Sequence, residues 1–393
     1  MLSKEILVEI LEKSWKKRPL PSWAVRPAHV QQVDVGRALM LLGSITTPNG
    51  LSAGSPERYW ACVRYFSACA ESDDLRIRFP FTGLDPHQKG ILSDDFGVAI
   101  STSWLVDKLG GFRNITDGRQ FMVNMGVRKS KAKLPKVGPR KCPDFIIEDL
   151  AGKLHVLECK GTQSGRDYLN RAMSTGLQQK KGVKIEKSLR GESLVIGVSL
   201  SDERNKHASQ LVVVDPESVP LTIVNPSNRD RASDVMKRLS LAKALNLTGF
   251  SRLAFEISWP DEESMGISEV GLLTSMERAS LAVDRGERQR ALRKEVDAEL
   301  MVLERRMQGD FVVQTMQFEL PAITLDSGEV VHRLTLRRGA NAGVVQRLAD
   351  ADAGLREAFC EEEVGTPEVS FREVDNRLRL DYGNLFFSEM EFD

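Results

Sequence analysis

The spacing of apolar positions changes several times along the chain. From Lys4 to Lys17 they are interleaved with Glu and Lys, which predicts an amphipathic helix ending before Pro19 and Pro21. A second helix is expected from Gln31 to Leu42. A third starts at Ser55-Pro56, a serine N-cap with proline at the first helical position, and runs to Ala70 with Trp60, Val63 and Phe66 on its core face. Segment 79–92, with its prolines and glycines, reads as a connection. Ser93-Asp94-Asp95 can cap a helix to Leu109, and Gln120 to Val127 reads as a strand. The short runs Phe145-Ile146-Ile147 and Leu154-His155-Val156-Leu157 are bounded by turn formers and read as two strands. A helix from Arg166 to Lys181 and apolar strands at Ser193 to Leu200 and Leu211 to Asp215 follow.

Beyond residue 216 the pattern predicts a helix from Asp234 to Leu245 and a long charged helix from Ser275 to Met307. In the latter, Leu292, Val296, Leu300 and Leu303 recur at helical spacing opposite interleaved Arg and Glu, which suits a packed or a partner-binding helix. Strands are expected at Phe311 to Leu320, Val330 to Leu336 and Arg377 to Tyr382, and a helix from Gly339 to Ala351. Glu361-Glu362-Glu363 reads as a solvated turn. The expected organisation is a helical domain over 1–90, an α/β domain over 91–216 and a mixed α+β domain over 217–393.

Composition narrows the function classes. Basic and acidic residues both number 55, so overall charge carries no argument for nucleic-acid binding. The five cysteines (Cys62, Cys69, Cys142, Cys159, Cys360) form no CxxC pair and no Cys/His cluster, which argues against structural zinc and a disulfide framework and fits a reducing cytoplasm. The N-terminus does not read as a signal peptide, and no apolar run is long enough to span a membrane.

The chemistry concentrates in Cys142 to Thr162, CPDFIIEDLAGKLHVLECKGT. A three-residue hairpin loop, Leu150-Ala151-Gly152, with glycine in the left-handed conformation, sets Asp149 opposite Lys153 and, by the count back, Asp144 opposite Glu158. Lys160 projects from the same face as Glu158. Opposed carboxylates on paired strands repel, and a cation between them offsets the repulsion. Two carboxylates with phosphate oxygens and waters suit Mg²⁺. Glu148 shares this strand face away from the charged end and reads as a solvated or salt-bridged charge.

Pro143-Asp144, thirteen intervening residues, then Glu158-Cys159-Lys160 resembles the PD-(D/E)xK signature of the restriction-endonuclease-like nucleases. The resemblance covers about residues 93 to 215. It implies an α/β core of order αβββαβ, a mixed sheet flanked by helices, and a Mg²⁺-dependent nuclease in which Mn²⁺ can substitute. Asp144 and Glu158 would be metal ligands, the Cys159 carbonyl a further ligand, and Lys160 the catalytic lysine. It also raises an acidic residue on the first helix, Asp94 or Asp95, although the N-cap reading is favoured for these, and Gln178 or Lys180 on the helix after the motif.

Residues 128 to 141 hold Arg128, Lys129, Lys131, Lys133, Lys136, Arg140 and Lys141 and no acidic residue. Glycine and two prolines make this a loop that ends three residues from Asp144, so it either binds a polyanion or is simply solvated. The expectation is a DNA endonuclease of restriction, phage defence or repair, with flanking domains for recognition, homo-oligomer formation or partner docking. The competing readings are a non-catalytic nucleic-acid-binding or assembly subunit that keeps the nuclease fold, and an unrelated interaction protein with a chance motif.

Overall fold

The computed structural model describes residues 2–15, 19–24, 28–47, 59–125, 142–180, 184–215, 222–258, 285–303, 307–351 and 369–393. At the N-terminus two-residue alternation prevails over helical spacing. Ser3–Ile10 is a strand, β1, that buries Lys4, Ile6, Val8 and Ile10 on one side. It pairs antiparallel with β2 (Ala28–Asp34), from Ser3 opposite Asp34 to Glu9 opposite Ala28. The helices expected from Lys4 to Lys17 and from Gln31 to Leu42 are therefore corrected. The first is a strand, and the second begins only at Val35, as α1 (Val35–Thr46), where the Asp34 side chain accepts from the Arg37 amide. Apolar residues two apart and three or four apart coexist in this stretch, and pairing with a strand two hundred residues away decides between them.

The third expected helix is α2 (Trp60–Phe66), with Phe66 buried; it ends at Phe66, short of the expected Ala70, and its expected start at Ser55-Pro56 lies outside the described residues. The supposed connection is already helical. Asp85 accepts from the His87 and Gln88 amides, Pro86 follows, and α3 runs Pro86–Leu109 to a left-handed Gly110. Asp94 and Asp95 thus lie inside α3 and cap nothing. The expected strand from Gln120 to Val127 is also corrected. The strand is β3 (Asn114–Asp117), and Asp117 then accepts from the Gln120 amide to start α4 (Gly118–Asn124).

The hairpin forms as expected from β4 (Phe145–Glu148) and β5 (Leu154–Thr162), with Gly152 at φ 73° and the Asp149 amide donating to the Lys153 carbonyl. Next come α5 (Arg166–Lys180), β6 (Lys184–Ile185), β7 (Arg190–Ser199), β8 (Gln210–Val214), β9 (Thr222–Val224), α6 (Arg229–Leu247), α7 (Ser251–Ser258) and α8 (Arg285–Leu303). A mixed seven-stranded sheet runs in the order β2-β1-β8-β7-β5-β4-β3, in which β5 is parallel to β7 and β1 to β8. The molecule is therefore mixed α/β.

The remaining strands are β10 (Met307–Gln308), β11 (Phe311–Thr324), β12 (Val330–Asn341), β13 (Val369–Val374), β14 (Arg377–Tyr382) and β15 (Phe386–Phe392), with α9 (Ala342–Asp350) after β12. They form a second, six-stranded sheet in the order β10-β11-β12-β15-β14-β13. A continuous apolar core joins the two sheets.

The two faces of the central sheet separate the hairpin residues. Phe145, Ile147, Leu157 and Cys159 enter the core under α3. Ile146 and Val156 point the other way, against residues of α4 and α6. On that second face Leu169 and Met173 of α5 cover Val195 and Val212. Asp144, Glu158 and Lys160 have the parity of Ile146 and Val156, so they lie on the second face.

Candidate active site

Three backbone contacts fix the motif. Phe145 stands opposite Leu157, so the next pair outward is Asp144 and Glu158. There the Cys159 amide donates to Asp144 Oδ2 at 2.8 Å, and the Gly118 amide donates to the Asp144 carbonyl at 3.0 Å. A Cβ on Gly118 would stand 2.2 Å from the Pro143 carbonyl oxygen, so glycine lets α4 clamp the start of β4. On the other side α3 crosses β5 just past the lysine. A Cβ on Gly161 would meet the Ser93 carbonyl oxygen at 1.7 Å, and one on Gly97 would meet Lys160 and Gly161 backbone at 2.8 Å. Two glycines thus bring the middle of α3, with Asp94, down to the lysine.

Glu158 is fully buried, and the Lys160 ammonium donates to its Oε1 at 2.5 Å. Its Oε2 is also buried and accepts no hydrogen bond among the described residues. Burial above all, and then the Asp144 carboxylate, push the Glu158 carboxyl up to about 7, against the pull of Lys160 and the Asp144 amide. The Asp144 carboxyl is raised as well, chiefly by burial, with the Cys159 amide and Lys160 opposing and Asp117 and Asp94 adding to the rise. Burial lowers Lys160, but its two carboxylate neighbours outweigh that and hold it above its ordinary value, so it stays an ammonium. Two carboxylates and one ammonium thus share a poorly solvated corner, and among the described residues one buried carboxylate oxygen has no donor.

Asp94 reaches solvent beside this corner. Its carboxyl is raised by partial burial, with Lys160 countering. Asp95 faces away and accepts a hydrogen bond from the Tyr65 hydroxyl of α2. The structure therefore brings Asp144, Glu158, Lys160 and Asp94 together and leaves Asp95 outside. Asp117, the cap of α4, acts on Asp144 and was not singled out from sequence. The signal was present, since Asp-Gly-Arg-Gln is a helix start that was read as the approach to a strand.

Gln178 and Lys180 lie on α5, with side chains outside the described residues. All seven basic residues of the 128–141 loop also lie outside the described residues, as does Glu361-Glu362-Glu363. Glu148 is neither solvated nor ion-paired among the described residues. It is buried, and Asn114 Nδ2 donates to it at 2.7 Å and Ser233 Oγ at 3.1 Å. It misled because both faces of β4 are covered.

No protein-family model, curated protein or solved structure matches this chain. Among the described residues no three His, Cys, Asp or Glu side chains group closely enough to hold a metal ion by themselves. What the donor set fits is a cation shared by two carboxylates and completed by a backbone carbonyl, water or phosphate oxygens. That is the oxygen-only, part-hydrated environment Mg²⁺ takes. The unpartnered Glu158 Oε2 is the atom such an ion would satisfy.

Proposed function

We propose that this protein is a metal-dependent nuclease that hydrolyses phosphodiester bonds in DNA, built on a restriction-endonuclease-like core. The observation that carries the reading is the desolvated pair Asp144 and Glu158, one oxygen of which is buried with no donor among the described residues, beside the Lys160 ammonium. The succession of α3, β3, β4, β5, α5 and β7 supports the core assignment, with α4 and β6 as additions.

Asp144 and Glu158 would hold Mg²⁺ or Mn²⁺, with the Cys159 carbonyl as a further oxygen. When bound, the ion would lower the pKa of a water and stabilise charge on the phosphoryl group. The chain's own groups do the rest. Lys160 is a fixed cation at the mouth of the site, where it can orient the attacking water or meet charge developing on a phosphate oxygen. Its bond to Glu158 holds it there between turnovers. Asp94, on the solvent side of Lys160, can accept a hydrogen bond from water at the same mouth. Apolar walls from β4, β5 and β7 exclude other water and strengthen each of these interactions.

The alternative, a nucleic-acid-binding or assembly subunit without catalysis, draws support from the lack of a third side-chain ligand among the described residues. Among the described residues no helix is long and apolar enough to cross a membrane. A cytoplasmic setting in restriction, phage defence or repair fits the reading, as do partners docked through the C-terminal sheet.

A nicking assay separates the two. Wild-type protein should cut plasmid with Mg²⁺ or Mn²⁺ and not with EDTA. Asp144→Ala, Glu158→Ala and Lys160→Ala should each lose at least about a hundredfold in rate, as expected when a principal electrostatic group is removed. Wild-type rates in folded Asp144→Ala protein would refute catalysis at this site.

A further inference from the structure

The parallel strands β5 and β7 finish together, with Thr162 opposite Ser199, and the Leu200 amide donates to the Thr162 carbonyl at 2.8 Å. This edge lies two residues past Lys160. The chain after β7 then meets the segment that leads into α3. Ile77 donates to the Ser201 carbonyl at 2.9 Å, Glu203 to the Ile77 carbonyl at 3.0 Å, and the Phe79 amide to Glu203 Oε1 at 2.8 Å. Arg76 Nη1 donates to the Asp202 carbonyl at 3.1 Å, and the Arg204 amide to Asp202 Oδ1 at 2.8 Å. This is irregular backbone tied down at nearly every residue.

What the ties hold up is an aromatic ring in water. Phe79 is 39% exposed, and the Arg204 guanidinium lies 3.0 Å from its ring centroid. Arg204, Lys206 and His207 are all exposed, and among the described residues neither Arg204 nor Lys206 pairs with a carboxylate. A single exposed phenylalanine is ordinary. A phenylalanine stacked with an arginine that has no carboxylate partner among the described residues, on braced backbone beside the end of β5, is a platform for a flat, anionic-backboned partner.

We propose that Phe79, with Arg204 stacked against it, is the surface on which an unpaired base of the nucleic-acid substrate stacks. The site therefore selects strands with single-stranded character rather than continuous duplex. The proposal rests on the nuclease reading above. Every base has a π-face, so the platform tolerates sequence while requiring an unpaired base. Along the backbone, from Lys160 to Thr162, across to Leu200 and Ser201, and across again to Ile77 and Phe79, the path is no more than about 25 Å by strand rise and spacing. The stacked base then lies within roughly seven nucleotides of the scissile phosphate at the 3.4 Å rise of a stacked strand. Arg204 lies against the ring, and Lys206, exposed two residues on in the same loop, adds a second cation for the backbone phosphates.

The test titrates the full-length protein in EDTA against two fluorescent DNA probes, a blunt duplex and the same duplex with a single-stranded tail, and then measures cleavage of both with Mn²⁺. Wild type should prefer the tailed probe. Phe79→Ala and the bulk-preserving Phe79→Leu should lose about tenfold in affinity for the tailed probe and nothing on the blunt one, and Phe79→Trp should keep the preference. The leucine variant keeps the result readable if the alanine variant unfolds. A wild type that cuts DNA but shows no preference for the tail overturns the platform and leaves the nuclease reading standing. So does Phe79→Leu binding as tightly as wild type, or losing affinity equally for both probes. A wild type that neither binds nor cuts either probe overturns both.

Discussion

Glu158 is buried on a strand that must keep its place in the sheet, so its proton is linked to folding. In the unfolded chain it ionises near 4.5, and in the native site it is pushed up to about 7. Below the lower value both states are protonated and the native site carries no charge penalty. Between the two the unfolded chain releases its proton first, so stability falls as pH rises, and above the upper value the full penalty is present. The contribution is on the order of 3 kcal/mol. Carboxyls held low by hydrogen bonds, such as Glu391 with Arg337 and Arg377, act in the opposite sense, so the difference between two proteins is the useful quantity. Urea unfolding at pH 5 and pH 8 without metal should show Glu158→Gln gaining on wild type as pH rises. Parallel pH profiles would mean that Glu158 is solvated. That Asp144, Glu158 and Lys160 share a face was legible in the sequence, because a short hairpin loop fixes the register. The placement of Asp94 was not, because it depends on where α3 starts and on how closely α3 approaches β5.

That approach is a property of the element pair. Gly161 has no room for a methyl group, since the Ser93 carbonyl oxygen lies 1.7 Å from where the Cβ would be. Gly161→Ala should push α3 away from β5, at about 3 kcal/mol of stability, and should move Lys160 enough to depress cleavage. Gly83→Ala, with nothing within 4 Å, is the matched control. Equal melting temperatures for the two variants would show that the helix adjusts freely.

Elements were legible where local chemistry was unambiguous, as in the hairpin, α5, α6 and the strands from Phe311 and Val330. They were misread where two periods overlapped or where a true cap was taken for a linker. In β1 the alternation of Ile6, Val8 and Ile10 competes with Leu7 and Leu11, and its pairing with β2 and β8 resolves it. At Asp85-Pro86 the cap stood in plain view, but nearby prolines and glycines made the stretch look like a connection.

Across the whole molecule the two sheets are joined by polar contacts as well as by the common core. Tyr382 of β14 donates to Asn114 Oδ1 at 2.7 Å, and Asn114 Nδ2 in turn donates to the buried Glu148. Gln314 Nε2 of β11 donates to the Thr248 carbonyl at 2.9 Å, and the Phe66 and Phe392 rings meet edge to face at 5.2 Å. Tyr382→Phe keeps the packing but leaves Asn114 Oδ1 buried without that donor, at about 1–2 kcal/mol. The midpoint of urea unfolding should fall with an unchanged slope. Two well-separated transitions would show that the C-terminal sheet folds on its own. None of this joining was legible in the sequence, because each contact pairs residues with no local relation.

Thermal melting tests, without requiring the right substrate, the proposal that Asp144 and Glu158 together hold a divalent cation. Wild type and Asp144→Asn are melted in EDTA and in millimolar Mn²⁺. In EDTA the variant, relieved of one of two facing charges, should melt no lower than wild type. Mn²⁺ should raise the wild-type melting temperature by mass action, with about 2.7 kcal/mol of stabilisation at a hundred times the dissociation constant, and the variant should lose most of that rise. Equal rises in the two proteins would place the ion elsewhere, and no rise in wild type would contradict the metal site.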